Sequence, residues 1–431
     1  MYAAKSNKKE IFIMKICVVG LGYVGLPLAA LLSTKYKVIG YDISESRVSQ
    51  LIDGVDITGE LESDYLLSLT CNLKFSNSVE DAHESDVFII TVPTPIDEFN
   101  KPDLSPLISA SEMVGSIIKR DNIVIFESTV YPGVTEEICA KVIENKSGLE
   151  YNKDFFCGYS PERINPGDKE RSVDKIIKVT SGSTASTARI VDELYKSVIT
   201  AGTYMAPNIK VAEAAKVIEN TQRDVNIALV NELAMIFNEM DIDTTEVLKA
   251  ASTKWNFINM RPGLVGGHCI GVDPYYLTYR AEQLGYTPNL ILASRQINNG
   301  MTKFITENII QIMVKENILI NKSSILILGA TFKENCSDLR NSKVENLVDD
   351  LGKYGIKVSV YDPLVCASSK PQWLKKYGVD SLNGDFDIII GAVAHDQFNN
   401  IDLTPMRSPN RGGSPVVVDL KNMFVEADWR L

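Results

Sequence analysis

Short runs of β-branched and aromatic residues alternate with amphipathic stretches from Lys15 onward. Ile16 to Val19, Val38 to Tyr41, Val87 to Val92 and Ile123 to Phe126 are the clearest of them. Strand-length runs separated by helical periodicity predict a parallel α/β sheet. Between Pro207 and about Gly300 the strand signal vanishes, and the stretch from about Ile209 to Met240 contains neither Gly nor Pro. It reads as one helix of roughly 30 residues, longer than a single domain core needs, and is expected to span domains and to pair with a twin. Strand-like runs return at Ser324 to Leu328, Val358 to Tyr361, Ile388 to Ala392 and Val416 to Val418, which predicts a second α/β domain.

The two halves share a phrase. Lys37-Val38-Ile39-Gly40-Tyr41-Asp42 and Lys357-Val358-Ser359-Val360-Tyr361-Asp362 agree at four of six positions, each ending an expected second strand. Two similar folds follow. The second half carries Gly329-Ala330-Thr331-Phe332-Lys333 where the first carries Gly20-Leu21-Gly22-Tyr23-Val24-Gly25, and so is expected to hold a different ligand.

The Gly20, Gly22, Gly25 spacing follows a strand and opens a helix, which lets the backbone turn tightly and approach a pyrophosphate at the helix N-terminus. Asp42 ends the next strand about 20 residues on, where a carboxylate accepts from a ribose 2′-hydroxyl. That carboxylate would repel a 2′-phosphate and favours NAD. Arg47, one turn further, reads as an adenine neighbour or a solvated helix residue. Cys17, inside the first strand, reads as a small core residue.

With 431 residues, 45% of them apolar, the chain is expected to fold as two or three globular domains. Its net charge of -11 argues against nucleic acid or an anionic membrane as partner. The seven cysteines are scattered without a C-x-x-C pair, which predicts no disulfide framework, no zinc site or other metal, and a reducing cytoplasm. No apolar stretch approaches a membrane span. Met1 to Ile13 lacks the apolar core of a signal peptide and reads as a flexible extension.

Cys269 stands apart from the other cysteines. Gly266, Gly267 and Gly271 around it let a ligand approach the backbone, and His268, Asp273 and Pro274 make the segment a structured loop. A thiol beside a hydride acceptor can carry an alcohol past the aldehyde, because a thiohemiacetal still has a hydride to lose and the resulting thioester can be cleaved by water. Glu213, Lys216, Asn220 and Asp224 share one face of the long helix. Such a stripe is usually solvated, yet Lys216 and Asn220 suit charge developing on a substrate oxygen. Val92 to Pro95, Glu127 to Gly133 and Ser160 to Arg163 follow expected strands, where α/β sheets hold ligands.

Several phrases resemble the NAD-dependent nucleotide-sugar 6-dehydrogenases: Gly20 to Pro27, Gly266 to Leu277, and Thr331-Phe332-Lys333-Glu334-Asn335. The likeness runs from about Met14 to Phe424. It implies two Rossmann-like doubly wound domains, 14–206 and 306–431, joined by a helical domain, 207–305, whose long central helix forms a homodimer or higher homo-oligomer. It implies Cys269 as nucleophile, Lys216 and Asn220 as oxyanion donors, and Asp273 as partner of thiol or water. Thr129 and Glu162 resemble the water-organising and acid/base positions. Tyr23, Val24, Asp42, Arg47, Thr94, Thr129 and Arg340 resemble the cofactor contacts.

For the substrate the resemblance implies Phe332 and Lys333 near the sugar diphosphate, with Gly266, Gly267, Glu162, Lys216 and Asn220 at the sugar end and Lys421 as a further basic contact. Ser160-Pro161-Glu162-Arg163 with His268-Cys269-Ile270 is similar to the UDP-N-acetylglucosamine and UDP-N-acetylgalactosamine branch, Arg163 and Arg261 offering donors to the acetamido group or the phosphates. The chain departs from the UDP-glucose enzymes at Asn165-Pro166, where they carry a second glutamate. The expected reaction is oxidation of C6 of a UDP-N-acetylhexosamine to the uronic acid with NAD, feeding surface polysaccharide synthesis. UDP-glucose, UDP-N-acetylmannosamine and GDP-mannose stay open as substrates. Rival readings are a two-electron β-hydroxyacid dehydrogenase, which shares the lysine and asparagine but not the need for Cys269, and a nucleotide sensor or scaffold.

Overall fold

The computed structural model describes residues 14–164, 172–366, 370–399, 401–403 and 406–431, so the leader Met1 to Ile13 and the pair Asn165-Pro166 lie outside the described residues. The backbone divides into two units, Met1–Val217 and Ile218–Leu431. The division falls inside the long helix, which runs Ile209–Glu239.

The first unit holds a six-stranded parallel sheet of β1 (Lys15–Val19), β2 (Lys37–Tyr41), β3 (Leu73–Ser76), β4 (Val87–Ile90), β5 (Ile123–Phe126) and β6 (Phe156–Tyr159), in the order β3-β2-β1-β4-β5-β6. Ile16, Cys17 and Val18 are wholly buried, as expected of a strand covered on both faces. Burial pushes the Cys17 thiol up to about 12, consistent with a packing role. Strand order reverses between β1 and β4, and in such sheets the ligand crevice opens beyond the C-terminal ends of those strands. A small parallel pair, β7 (Lys178–Thr180) and β8 (Thr203–Met205), completes the unit.

Two of the six strands escape hydrophobic pattern reading. β3, Leu-Lys-Phe-Ser, lies at the sheet edge with a mixed exposure pattern. β6 includes Gly158, which sits so close to Val191 and Ser181 that a Cβ would come within 2.9 Å of the Val191 side chain.

The second unit carries β9 (Ser324–Leu328), β10 (Lys357–Tyr361), β11 (Ile388–Gly391), β12 (Val416–Asp419) and β13 (Trp429–Arg430), parallel in the order β10-β9-β11-β12-β13. On one sheet face Ile325, Ile327, Ile388, Ile390 and Val418 meet Met301, Ile305, Ile309 and Met313 of the helix Asn289–Lys315, whose four-residue spacing makes a single apolar stripe. Leu326, Leu328 and Ile389 fill the other face. No strand occurs among the described residues between β8 and β9. The fold is therefore two doubly wound parallel α/β sheets with a helical segment between them in sequence.

The shared phrase marks a shared turn. Gly20 N–H donates to Tyr41 O at 2.8 Å, and Gly329 N–H donates to Tyr361 O at 2.8 Å. Both glycines hold a left-handed φ, +94° and +92°. Asp42 Oδ2 accepts from Leu21 N–H at 2.8 Å, and Asp362 Oδ2 from Ala330 N–H at 2.7 Å.

Candidate active site

The fingerprint turn of the first unit is built for a ligand on one side only. A Cβ on Gly25 would lie 1.8 Å from Gly20 O, so this glycine serves the packing of helix Gly25–Ser33 on the sheet. Gly22 has open space around it, the room a pyrophosphate needs to reach the backbone. Asp42 is held at the end of β2 by Leu21 N–H and by Ser44 N–H at 2.9 Å. Tyr23 and Val24 are half-buried at the turn.

Arg47 is not a solvated helix residue. It is buried, its Nε donates to Leu21 O at 2.9 Å, and its Nη2 pairs with Asp56 Oδ1 at 2.8 Å. Asp56 attracts it inward across a turn that the sequence pattern does not reveal. Among the described residues Arg47 Nη1 has no hydrogen-bond partner, although it is buried. Open space at Gly22, a carboxylate at Asp42 and this orphaned donor fit a dinucleotide with a free 2′-hydroxyl. Beyond β4 and β5, Thr94 Oγ1 donates to Thr129 O at 2.7 Å and Ser128 Oγ to Val92 O at 2.6 Å, tying the two crevice loops together.

Glu162, from the loop after β6, is anchored at both oxygens. Oε1 accepts from Arg163 N–H at 2.6 Å and Ile164 N–H at 2.7 Å, and Oε2 accepts from Lys178 Nζ at 2.9 Å. Burial works against its charge, but Lys178 and the two amides outweigh it and hold the carboxyl below the ordinary range. Arg163 Nη1 donates to Ile177 O at 3.0 Å. Lys178 also reaches Glu127 Oε2 at 2.7 Å; Glu127 heads one of the expected ligand loops, whereas nothing in the sequence points to Lys178.

The polar stripe on the long helix is buried along its whole length, contrary to the solvated reading of such faces. Glu213 is wholly buried and accepts from Gly133 N–H at 2.6 Å and Thr135 N–H at 3.0 Å, so it caps the next helical segment of the first unit. Lys216, 8% exposed, makes no ion pair among the described residues. In the second unit Asp224 pairs with Arg295 Nη1 at 2.6 Å and accepts from Asn298 at 2.7 Å. The two ends of the stripe thus hold other segments of their own units in place.

Asn220, 1% exposed, donates from Nδ2 to Asp273 Oδ2 and accepts from Arg223 Nη2. An amide nitrogen has two hydrogens, so fixing one on Asp273 aims the other. Asp273 opens the helix Asp273–Gln283, and its N–H donates to Cys269 O at 2.9 Å. Cys269 is exposed on the turn before that helix, which excludes the inert buried role.

The glycines beside Cys269 have an internal reason as well. A Cβ on Gly267, where φ is +80°, would lie 2.7 Å from the Phe332 ring, and one on Gly266 would lie 2.7 Å from Asn341 O. They let the Cys269 loop pack on the Phe332 loop, a packing role that stands beside the expected approach of a ligand to this backbone. His268 Nδ1 stands 3.9 Å from Asp338 Oδ2, and burial, then Arg340, lowers its pKa. Arg340 is clamped on Asp338 through Nε at 3.0 Å and Nη2 at 2.7 Å.

A small cleft in the second unit brings together Gly266, Phe332 and Lys421 with Thr331, Ser342 and Lys343. Lys343, missed by sequence, donates to Asn299 Oδ1 at 3.2 Å. Lys333 is half-buried on the same turn and Arg261 is exposed. A larger groove of about 520 Å³ near Asn238, Asp243, Phe304 and Trp429 contains none of the expected site residues. Among the described residues no group of three or more His, Cys, Asp or Glu is placed to hold a metal, and no helix is long and apolar enough to cross a membrane.

These features converge with what the chain is similar to. It matches the UDP-glucose/GDP-mannose dehydrogenase family in the NAD binding domain over residues 14–199, the central domain over 210–300 and the UDP binding domain over 326–426. It is 53% identical to UDP-N-acetyl-D-glucosamine 6-dehydrogenase of Pseudomonas aeruginosa over 97% of this chain and 99% of that protein. The Salmonella typhi enzyme of the same name is 50% identical over the same shares. The solved UDP-D-ManNAc dehydrogenase of Pyrococcus horikoshii superposes with a TM-score of 0.85 at 31% identity, covering 97% of this chain and 98% of that one. With a glycine turn fitted to a dinucleotide, a buried lysine and asparagine on one helix and an exposed thiol before another, the chain belongs to the UDP-glucose/GDP-mannose dehydrogenase family and is an NAD-dependent nucleotide-sugar dehydrogenase.

Proposed function

We propose that the chain oxidises C6 of a UDP-N-acetylhexosamine, UDP-N-acetylglucosamine foremost and UDP-N-acetylgalactosamine as the epimer to be tested, to the uronic acid. The relatives named for UDP-N-acetyl-D-glucosamine support the sugar. The observation that carries the chemistry is Lys216, buried and without an ion pair among the described residues, one helical turn before an amide already aimed by Asp273. Burying such a charge is costly unless something supplies the opposite one. An oxyanion on the reacting carbon supplies it.

Gly20, Gly22, Tyr23, Val24, Gly25, Asp42, Arg47, Thr94 and Thr129 hold the dinucleotide, with Arg340. NAD, when bound, supplies the electron acceptor, two equivalents taking four electrons as alcohol and water become carboxylate and three protons are released. Lys216 and Asn220 hold the substrate oxygen at each stage. Cys269 Sγ bonds to C6 at the aldehyde level, giving a thiohemiacetal and then a thioester. Water, organised by Thr129 and Asp273 with Glu162 as acid/base group, cleaves it. Phe332, Lys333, Lys421, Arg163, Arg261, Gly266 and Gly267 hold the UDP-sugar.

The matched segments support the division into 14–206, 207–305 and 306–431. Ile218, Leu229 and Ile236 are about half exposed on one stripe of the long helix, which supports pairing with a second copy. The product suits surface polysaccharide synthesis in the cytoplasm.

The test is NADH yield per UDP-sugar across a panel with both C4 epimers, UDP-glucose, UDP-N-acetylmannosamine and GDP-mannose. Two NADH per UDP-N-acetylhexosamine are expected, with Cys269→Ser halting before acid is formed. One NADH per sugar, or unaltered acid formation by Cys269→Ser, overturns the thiol route.

A further inference from the structure

Glu127, Lys178, Glu162 and Tyr195 form a buried hydrogen-bonded chain of which the reaction above uses one end. Lys178 Nζ lies 2.7 Å from Glu127 Oε2 and 2.9 Å from Glu162 Oε2, and the Tyr195 hydroxyl donates to Glu127 Oε1. All four are nearly or wholly inaccessible, and the Tyr195 ring centre lies 5.3 Å from the ammonium. Asp192, on the same helix as Tyr195, is engaged by Thr180 Oγ1 at 2.8 Å. Two carboxylates thus share one ammonium, which leaves room for one more proton. Glu162 is held ionised by its amides and Lys178, whereas burial dominates at Glu127 and pushes its carboxyl up to about 7. The vacant proton seat is Glu127.

We propose that Glu127 is the proton store of the reacting centre, filled from Glu162 through Lys178. This rests on the reading of Glu162 as the acid/base group. Glu162 takes a proton from substrate hydroxyl or water. As that proton passes to Lys178 Nζ, Nζ releases one of its own to Glu127 Oε2. The ammonium stays an ammonium, no electrons move, and no bond to carbon changes in this step. The proton returns by the same path to water after the chemistry, so Glu162 is ionised again for the next of the three protons.

The experiment uses the full-length enzyme with NAD+ and UDP-N-acetylglucosamine and compares wild type with Glu127→Gln and Tyr195→Phe. Wild-type kcat is expected to fall as pH drops through about 7, when the store is already full. Glu127→Gln is expected to lose that limb and about tenfold in kcat at the optimum, with KM for the sugar within twofold, a smaller loss than removing a direct acid/base group causes. Tyr195→Phe removes a donor to ionised Glu127, so its limb moves to higher pH. Infrared difference spectra without substrate should show a carboxylic acid carbonyl band titrating near pH 7, absent from Glu127→Gln. A wild-type pH profile or a retained band in Glu127→Gln overturns the proposal. If that variant does not fold, an unmoved limb in Tyr195→Phe overturns it. Absence of NADH from wild type with every UDP-sugar defeats the underlying reading instead, while the infrared band still reports on Glu127.

Discussion

His395 Nε2 stands 3.0 Å from Asp362 Oδ2, and both side chains are buried in the second unit. His395 Nδ1 accepts from Asn335 N–H at 2.9 Å, so the ring proton sits on Nε2 and is donated to the carboxylate. Burial works against the charge of Asp362, but this bond and Ala330 N–H outweigh it and keep the carboxyl below its ordinary range. Asp42, at the matching place in the first unit, accepts from backbone amides and keeps an accessible edge. In the second turn an imidazole covers the carboxylate edge that stays accessible in the first, and it ties Asn335 and Thr331 to the strand end.

Replacing that imidazole should loosen the turn. His395→Phe leaves Asn335 N–H without its acceptor and Asp362 with one donor fewer, and is expected to cost about 2–4 kcal/mol in urea unfolding. KM for the UDP-sugar should rise several-fold while KM for NAD stays within twofold. Equal rises in both constants would detach the turn from the sugar nucleotide.

Asp42 should set the choice of dinucleotide. A hydrogen bond to a carboxylate is worth about 1.5–3 kcal/mol, so Asp42→Ala is expected to raise KM for NAD by roughly ten- to a hundredfold. The same change should improve NADP, because a repelling charge has gone. Initial rates with both cofactors check this, and an unchanged ratio contradicts the role.

Glu213 makes stability depend on pH. Burial pushes its carboxyl from 4.5 up to about 7, so between those values the folded chain holds a proton that the unfolded chain has lost. This contribution is complete below about 4.5 and disappears as pH rises through about 7, a change on the order of 3 kcal/mol. The gap in urea stability between wild type and Glu213→Gln should therefore shift in the mutant's favour from pH about 5 to pH about 8. A gap independent of pH excludes the titration.

The amino-acid sequence by itself determined the features that are local in the chain. Runs such as Ile16 to Val19 and Ser324 to Leu328, the unbroken helix from Ile209, the Gly20 turn with Asp42 and the glycine-flanked Cys269 are legible because a few adjacent residues set backbone shape and periodicity. Only the tertiary structure decided what surrounds each charge. Glu127 and Lys178 are 51 residues apart, Glu213 and Gly133 are 80 apart, and Asp362 and His395 are 33 apart. Sheet order and helix packing bring such groups together, and no spacing along the chain encodes that. The same physics explains Arg47 and the polar stripe on the long helix. A polar side chain is solvated or buried according to what packs over it, so their burial became visible only once Asp56, Gly133 and Arg295 were in place around them.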